Sequence, residues 1–178
     1  MNVILVGYRG CGKTSVGRKL ASELWKDFVD VDDDTRKRFD NATIADIWAT
    51  HGEPAWRAAE MDVTRELCAQ DDLVIGLGGG TLMQRGARDA VESADARRIY
   101  LQCAVPELAR RIEADSATAG TRPSLTQAAG GAAVSPSQEI AEVLARREPV
   151  YRAVADSEFD VTHCSVDEVV RHLLRSHL

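Results

Sequence analysis

The chain is poor in the residues that would point to a metal centre, a disulfide scaffold or a membrane anchor. Its four cysteines, Cys11, Cys68, Cys103 and Cys164, include no Cys-x-x-Cys pair. That spacing supports neither a zinc site nor a disulfide framework and suits reduced thiols in a cytoplasmic protein. The four histidines, His51, His163, His172 and His177, are equally scattered and read as structural or surface groups. No apolar run approaches the roughly twenty residues needed to cross a bilayer. The N-terminal apolar stretch lacks a basic leader, so a buried strand is expected there and not a signal peptide. Positive charge is not in excess either: 22 Lys and Arg face 28 Asp and Glu, for a net charge of −6. No overall field attracts nucleic acid or an anionic membrane, so any anionic substrate must be held by a local cluster of basic side chains.

What is present is an ordinary globular balance, 44% hydrophobic and 28% charged over 178 residues. That is enough to bury one core, and with no repeat or boundary visible a single domain over 1–178 is expected. Short apolar strands are expected at Val3–Val6, Phe28–Val31, Leu73–Leu77, Arg98–Cys103 and Phe159–Val161. Helices are expected between them: Lys13–Trp25, with Val16, Leu20 and Leu24 on one stripe; Thr43–Thr50, capped by Thr43; and Glu53–Ala69, with Trp56, Val63 and Leu67 on one face. Further helices should begin at Pro106 and run over Gln138–Ala155 and Val166–His177. Alternating strands and helices predict an α/β fold with a five-stranded parallel sheet covered by helices on both faces. Residues 114–137, rich in Ala, Gly, Ser and Thr, are too long for an ordinary connection and predict a mobile lid.

The strongest motif is Gly7-Tyr-Arg-Gly-Cys-Gly-Lys-Thr14, a G-x-x-x-x-G-K-[ST] P-loop between a strand and a helix. Gly10, Cys11, Gly12, Lys13, Thr14 and Ser15 are the expected phosphate-binding set. Backbone N–H groups and the helix N-terminus curl round the phosphates, Lys13 reaches the β- and γ-phosphates, and the Thr14 hydroxyl ligates Mg²⁺. A guanine-reading Asn-Lys-x-Asp string is absent, and the chain is short for a large ATPase, so a small-molecule kinase using ATP fits best.

Five other patterns carry chemistry. Alternation along the second strand would send Asp30 and Asp32 to the same side, one carboxylate for the metal and one for an attacking hydroxyl. Arg57 and Glu60 stand at i, i+3 and can touch. Gly78-Gly79-Gly80 closes a strand, where backbone N–H groups can approach a ligand. Arg122 lies in the lid, before Pro123, and Arg147 precedes Glu148-Pro149-Val150-Tyr151 on a helix.

With these strings the whole chain resembles shikimate kinase, of the nucleoside-monophosphate-kinase-like P-loop fold. The resemblance implies ATP-dependent phosphorylation of the shikimate 3-hydroxyl by a cytoplasmic monomer, with a substrate-binding region over about 32–62. It further implies Asp30 near Mg²⁺, Asp32 on the substrate hydroxyls as base, and Arg57 and Arg147 as clamps on the substrate carboxylate beside Gly78, Gly79 and Gly80. Arg122 would close over the γ-phosphate, and Arg111 would stack on adenine near Thr162-His163-Cys164. Two departures stand out. Ser124-Leu125 follows Arg122-Pro123 where the family has Leu-Leu, and the Asp32–Ile44 spacing is one residue longer. The extra residue falls either in Asp33-Asp34, where Asp34 could share the role of Asp32, or in Phe39-Asp40-Asn41. A gluconate-type or other small-metabolite kinase on the same fold, and a catalytically silent nucleotide-binding paralogue, are the competing expectations.

Overall fold

The computed structural model describes residues 1–115 and 135–176. Five parallel strands, β1 (Asn2–Val6), β2 (Asp27–Asp30), β3 (Leu73–Gly76), β4 (Ala96–Gln102) and β5 (Ser157–Asp160), form one sheet in the order β2-β3-β1-β4-β5. All five residues of β1 are buried, as the central position of a sheet covered on both faces demands. Its register, Ile4 opposite Ile75 on one side and Arg98 on the other, places both neighbours in step with it. The chain leaves β1 toward β3 and β2, then returns to β4 on the other side. The strand order therefore reverses at β1, where open parallel sheets hold ligands at their carboxyl ends.

Helices α1 (Lys13–Leu24), α2 (Val31–Lys37), α3 (Ile44–His51), α4 (Glu53–Cys68), α5 (Arg85–Ser93), α6 (Val105–Ala114), α7 (Pro136–Val154) and α8 (Val166–Ser176) complete the fold, with one 3-10 turn at Thr81–Met83. Val16 and Leu20 of α1 are buried and Leu24 packs against the main core, as their spacing predicts. On α4 the buried face is Trp56, Glu60, Val63, Thr64 and Leu67, so an acidic residue lies inside an otherwise apolar stripe. The Thr43 hydroxyl accepts from the Asp46 N–H at 3.1 Å, capping α3.

Two helices are corrections to the sequence reading. The acidic run after β2 is not a strand end: α2 begins at Val31, and the Asp30 carboxylate caps it by accepting from the Asp32 N–H at 3.0 Å. Three acidic residues in the first turn complement the helix dipole. Strand alternation therefore does not relate Asp30 to Asp32. Helix α5 was not expected, because apolar Ala87 and Val91 are too few to reveal a period in a segment otherwise polar. Both ends of the 114–137 segment are helical. Ala114 closes α6, and Ser135 opens α7 in a reciprocal capping box with Gln138. Residues 116–134, which contain Arg122, lie outside the described residues, as does His177.

The main core joins β1, β3 and β4 to α1, α7 and α8. A second, separate cluster contains Ile44, Ile47 and Trp56, with Phe39, Ala42 and Trp48 packed against it. This small cluster sits beside the site described next.

Candidate active site

The loop after β1 folds as a phosphate cradle. Gly10 and Gly12 have φ of 82° and 100°, left-handed values that only glycine takes without strain. Gly12 turns the chain into α1, directing the N-terminus of that helix into the loop. The Lys13 ammonium donates to the carbonyls of Gly7 (2.8 Å) and Tyr8 (3.0 Å) and reaches Cys11 Sγ at 3.8 Å. Thr14 Oγ1 donates to Asp30 Oδ2 at 2.9 Å. A hydroxyl and a carboxylate oxygen thus meet at the loop's base, a pair of hard oxygen donors that fits a Mg²⁺ ion. Asp30 reaches Thr14 while capping α2, so one residue serves both contacts.

Beside the cradle is an open cleft of about 490 Å³, lined by Tyr8, Arg9, Asp32, Ile44, Trp56, Arg57, Glu60, Gly79, Gly80 and Arg147. Its chemistry is divided. Ile44 and Trp56 give an apolar wall, whereas three guanidinium and two carboxylate groups line the rest. The described lining therefore carries one more positive charge than negative, a balance that a monoanionic ligand would neutralise. It is the local cationic cluster that the chain's negative net charge calls for.

Glu60 organises this cleft. It is 1% exposed and accepts from Thr81 Oγ1 (2.6 Å), Gln84 Nε2 (2.9 Å) and Arg57 Nη1 (2.8 Å). A buried carboxylate this well supplied with donors is fixed in its geometry. Arg57 also donates through Nε to Glu53 at 3.1 Å and lies 5.5 Å over the Trp48 ring. Burial works against the Arg57 charge, but Glu60 and Glu53 outweigh it and its pKa stands above the ordinary guanidinium value.

The glycine triplet explains itself from the same groups. A Cβ on Gly78 would stand 2.4 Å from Asp32 Oδ1 and 2.6 Å from Glu60 Oε1, and one on Gly80 would stand 2.8 Å from Arg57 Nη1. The missing side chains make room for the protein's own charged groups, where the sequence reading looked only for ligand contact. The Gly79 carbonyl accepts from Arg147 Nη1 at 2.9 Å and from the Tyr151 hydroxyl, which ties α7 to the end of β3.

The structure thus brings Asp32, Arg57, Gly79, Gly80 and Arg147 to one cleft, with Gly78 against Asp32 and the P-loop alongside. Asp34 does not join them; its carboxylate pairs with Lys37 on the outside of α2. Arg111 lies apart, donating to Glu107 (2.7 Å) and to the carbonyls of Val161 (3.0 Å) and Thr162 (3.2 Å). It is thereby fixed against the 162–164 loop. Hydrogen bonds from Arg110 and Arg111 lower the Glu107 pKa to about 2, so this tether stays charged through the physiological range. Sequence reasoning missed Tyr8, Arg9 and Ile44 as lining residues. The P-loop pattern treats positions 8 and 9 as arbitrary, and nothing along the chain says which way they face.

A P-loop at the switch point of a parallel sheet, with a second cleft beside it, defines a P-loop kinase fold in which donor and acceptor sites adjoin. The shikimate kinase family model matches residues 9–177. The chain is 33% identical to a shikimate kinase of Rhodopirellula baltica over 98% of its own length and 89% of that protein. It is 37% identical to one of Pseudomonas savastanoi over 87% of this chain and 83% of the relative. Among solved structures, a shikimate kinase from Acinetobacter baumannii in complex with shikimate superposes with a TM-score of 0.86 at 30% identity, covering 98% of this chain and 90% of that one. The chain belongs to the shikimate kinase family.

Proposed function

We infer that the protein transfers the γ-phosphoryl group of ATP to the 3-hydroxyl of shikimate. The observation that supports this most directly is the cleft itself. A carboxylate, Asp32, and two arginines, Arg57 and Arg147, converge within one small cavity beside a phosphate-binding loop. That arrangement suits an acceptor carrying both an alcohol and a carboxylate, and the family supplies shikimate as its identity.

Phosphoryl transfer goes through a loose transition state, so the protein's work is alignment and charge neutralisation. The P-loop N–H groups and the α1 N-terminus hold the donor phosphates, and Lys13 leaves its loop carbonyls to neutralise them. Thr14 and Asp30 would hold Mg²⁺, which supplies further neutralisation of the phosphates. Arg57, kept in place by Glu60, and Arg147 grip the acceptor carboxylate; bidentate guanidinium recognition fixes its plane as well as its position. Asp32 orients the attacking hydroxyl and takes its proton. Arg122 closes over the γ-phosphate, and Arg111 packs against adenine beside the 162–164 loop. The protein works as a cytoplasmic monomer.

A coupled ADP-release assay with shikimate, with gluconate and with no acceptor tests this reading. Turnover with shikimate alone is expected. Turnover with gluconate in its place would assign the cleft to another acceptor, and none with either would make the chain a silent nucleotide binder. Arg57→Ala is expected to raise the shikimate KM at least tenfold; an unchanged KM would remove Arg57 from the clamp.

A further inference from the structure

Arg9 occupies a position of the P-loop at which the motif specifies nothing, yet its side chain lines the acceptor cleft. Among the described residues its buried Nε has no hydrogen-bond partner and Arg9 forms no ion pair, its guanidinium lying against the neutral Tyr8 hydroxyl. A buried charged donor without an acceptor is costly to maintain in a folded protein. The two neighbouring guanidinium groups are differently placed. Arg57 commits Nε to Glu53 and Nη1 to Glu60, so its charge is compensated from within. Arg147 commits Nη1 to the Gly79 carbonyl. The Arg9 backbone nitrogen and Arg147 Nη1 both lie close to Gly79, 3.6 and 3.5 Å from the position of a Cβ there. Arg9 and Arg147 therefore flank the same glycine from the P-loop side and the α7 side.

We propose that Arg9 is a third acceptor-binding arginine, donating to the substrate carboxylate together with Arg147 and so selecting anionic over neutral acceptors. The proposal rests on the shikimate kinase reading and deepens it. The nucleotide phosphates are served by backbone N–H groups and Lys13 on the loop itself, whereas Arg9 faces the cleft that Ile44, Trp56 and Asp32 enclose. A ligand carboxylate has about four lone-pair sites, enough for Arg9 beside Arg57 and Arg147. With Arg57 neutralised by its own glutamates, Arg9 and Arg147 supply the attraction that discriminates by charge.

The test is a cycle between the protein and the substrate's charge. Arg9→Met keeps the length of the side chain and removes its donors. KM for shikimate and for its uncharged methyl ester is measured in wild type and variant, with an inhibition constant replacing KM where ester turnover is slow. Arg9→Met should raise the shikimate value at least tenfold while moving the ester's and that of ATP less than twofold. Arg9→Lys, retaining charge without the fork, should fall between wild type and Arg9→Met for shikimate. Equal losses for shikimate and the ester, or an ATP KM that rises as far as the shikimate KM, would overturn the proposal. So would an unchanged shikimate KM in Arg9→Met alongside normal wild-type turnover. Absence of wild-type turnover with shikimate would overturn the activity reading and this inference together. Should Arg9→Met fail to fold, Arg9→Lys and Arg9→Gln provide the same comparison.

Discussion

Replacing Gly78 with alanine tests whether the triplet exists to admit the site's own side chains. The added methyl would lie 2.4 Å from Asp32 Oδ1, 2.6 Å from Glu60 Oε1 and 2.8 Å from Thr81 Oγ1. Ordinary carbon–oxygen contact needs about a further 0.6–1 Å in each case. None of the three can retreat freely. Glu60 is held by three donors, and Asp32 sits in the first turn of α2. Overpacking of this kind costs about 1–3 kcal/mol, which for a chain of this size lowers Tm by about 2–12 °C. The larger effect is on chemistry. Displacing Asp32 by about 1 Å is expected to lower kcat/KM for shikimate by about 100-fold, with the ATP KM nearly unchanged because no P-loop atom lies among the three nearest. Gly79→Ala is no kinetic control, because its methyl stands between Arg9 and Arg147 in the cleft. It is the control on stability only, since that methyl meets nothing closer than 3.5 Å and its Tm should stay nearest to wild type of the three. Gly80→Ala, at 2.8 Å from the Arg57 guanidinium, should fall between them and act mainly on shikimate KM. Steady-state kinetics and thermal melts on the three variants settle the order. A Gly78→Ala enzyme with kcat/KM within twofold of wild type, or a Gly79→Ala enzyme that melts lowest of the three, would refute the steric reasoning.

Asp32→Asn should bind ATP normally and lose about 10²–10⁴ in kcat; near-normal turnover would remove Asp32 as the base. Glu60→Ala should destabilise the fold by about 3 kcal/mol, since it removes one of Arg57's two carboxylate partners and leaves the Thr81 hydroxyl and Gln84 amide without theirs, and should raise the shikimate KM more than the ATP KM. Equal movement of both would mean that Glu60 serves only the fold. Trp25 caps α1 in the left-handed region at φ 58° and is 95% exposed, so its ring contributes almost no burial. Trp25→Gly should therefore stabilise by about 1 kcal/mol, raising Tm by about 2–4 °C; a lower Tm would show that the ring has a contact.

Much of the sheet was legible because its strands are short β-branched runs closed by Gly or Asp, and the parallel pattern follows from their alternation with helices. The P-loop was legible from its own spacing between a strand and a helix, whereas the Arg57, Gly78–Gly80 and Arg147 strings took their meaning from likeness to one family. What the sequence could not show was direction. Asp30 and Asp32 looked like strand neighbours, but helix capping ends the strand between them, and local hydrogen bonding outweighed the strand period. Arg9 was invisible because a loop residue's orientation depends on contacts made far along the chain. Glu60 read only as the i, i+3 partner of Arg57, and it is the buried carboxylate that also takes Thr81 and Gln84.

The separate cluster of Ile44, Ile47 and Trp56 has a consequence for redesign. Its packing does not run into the core beneath the sheet, so exchanging Phe39, Ile44, Ile47 or Trp48 for side chains of similar total volume reshapes the acceptor's apolar wall while the nucleotide half keeps its frame. The acceptor end is in this sense a cassette, attached through α4, and a new alcohol could be accommodated by resurfacing the cassette alone.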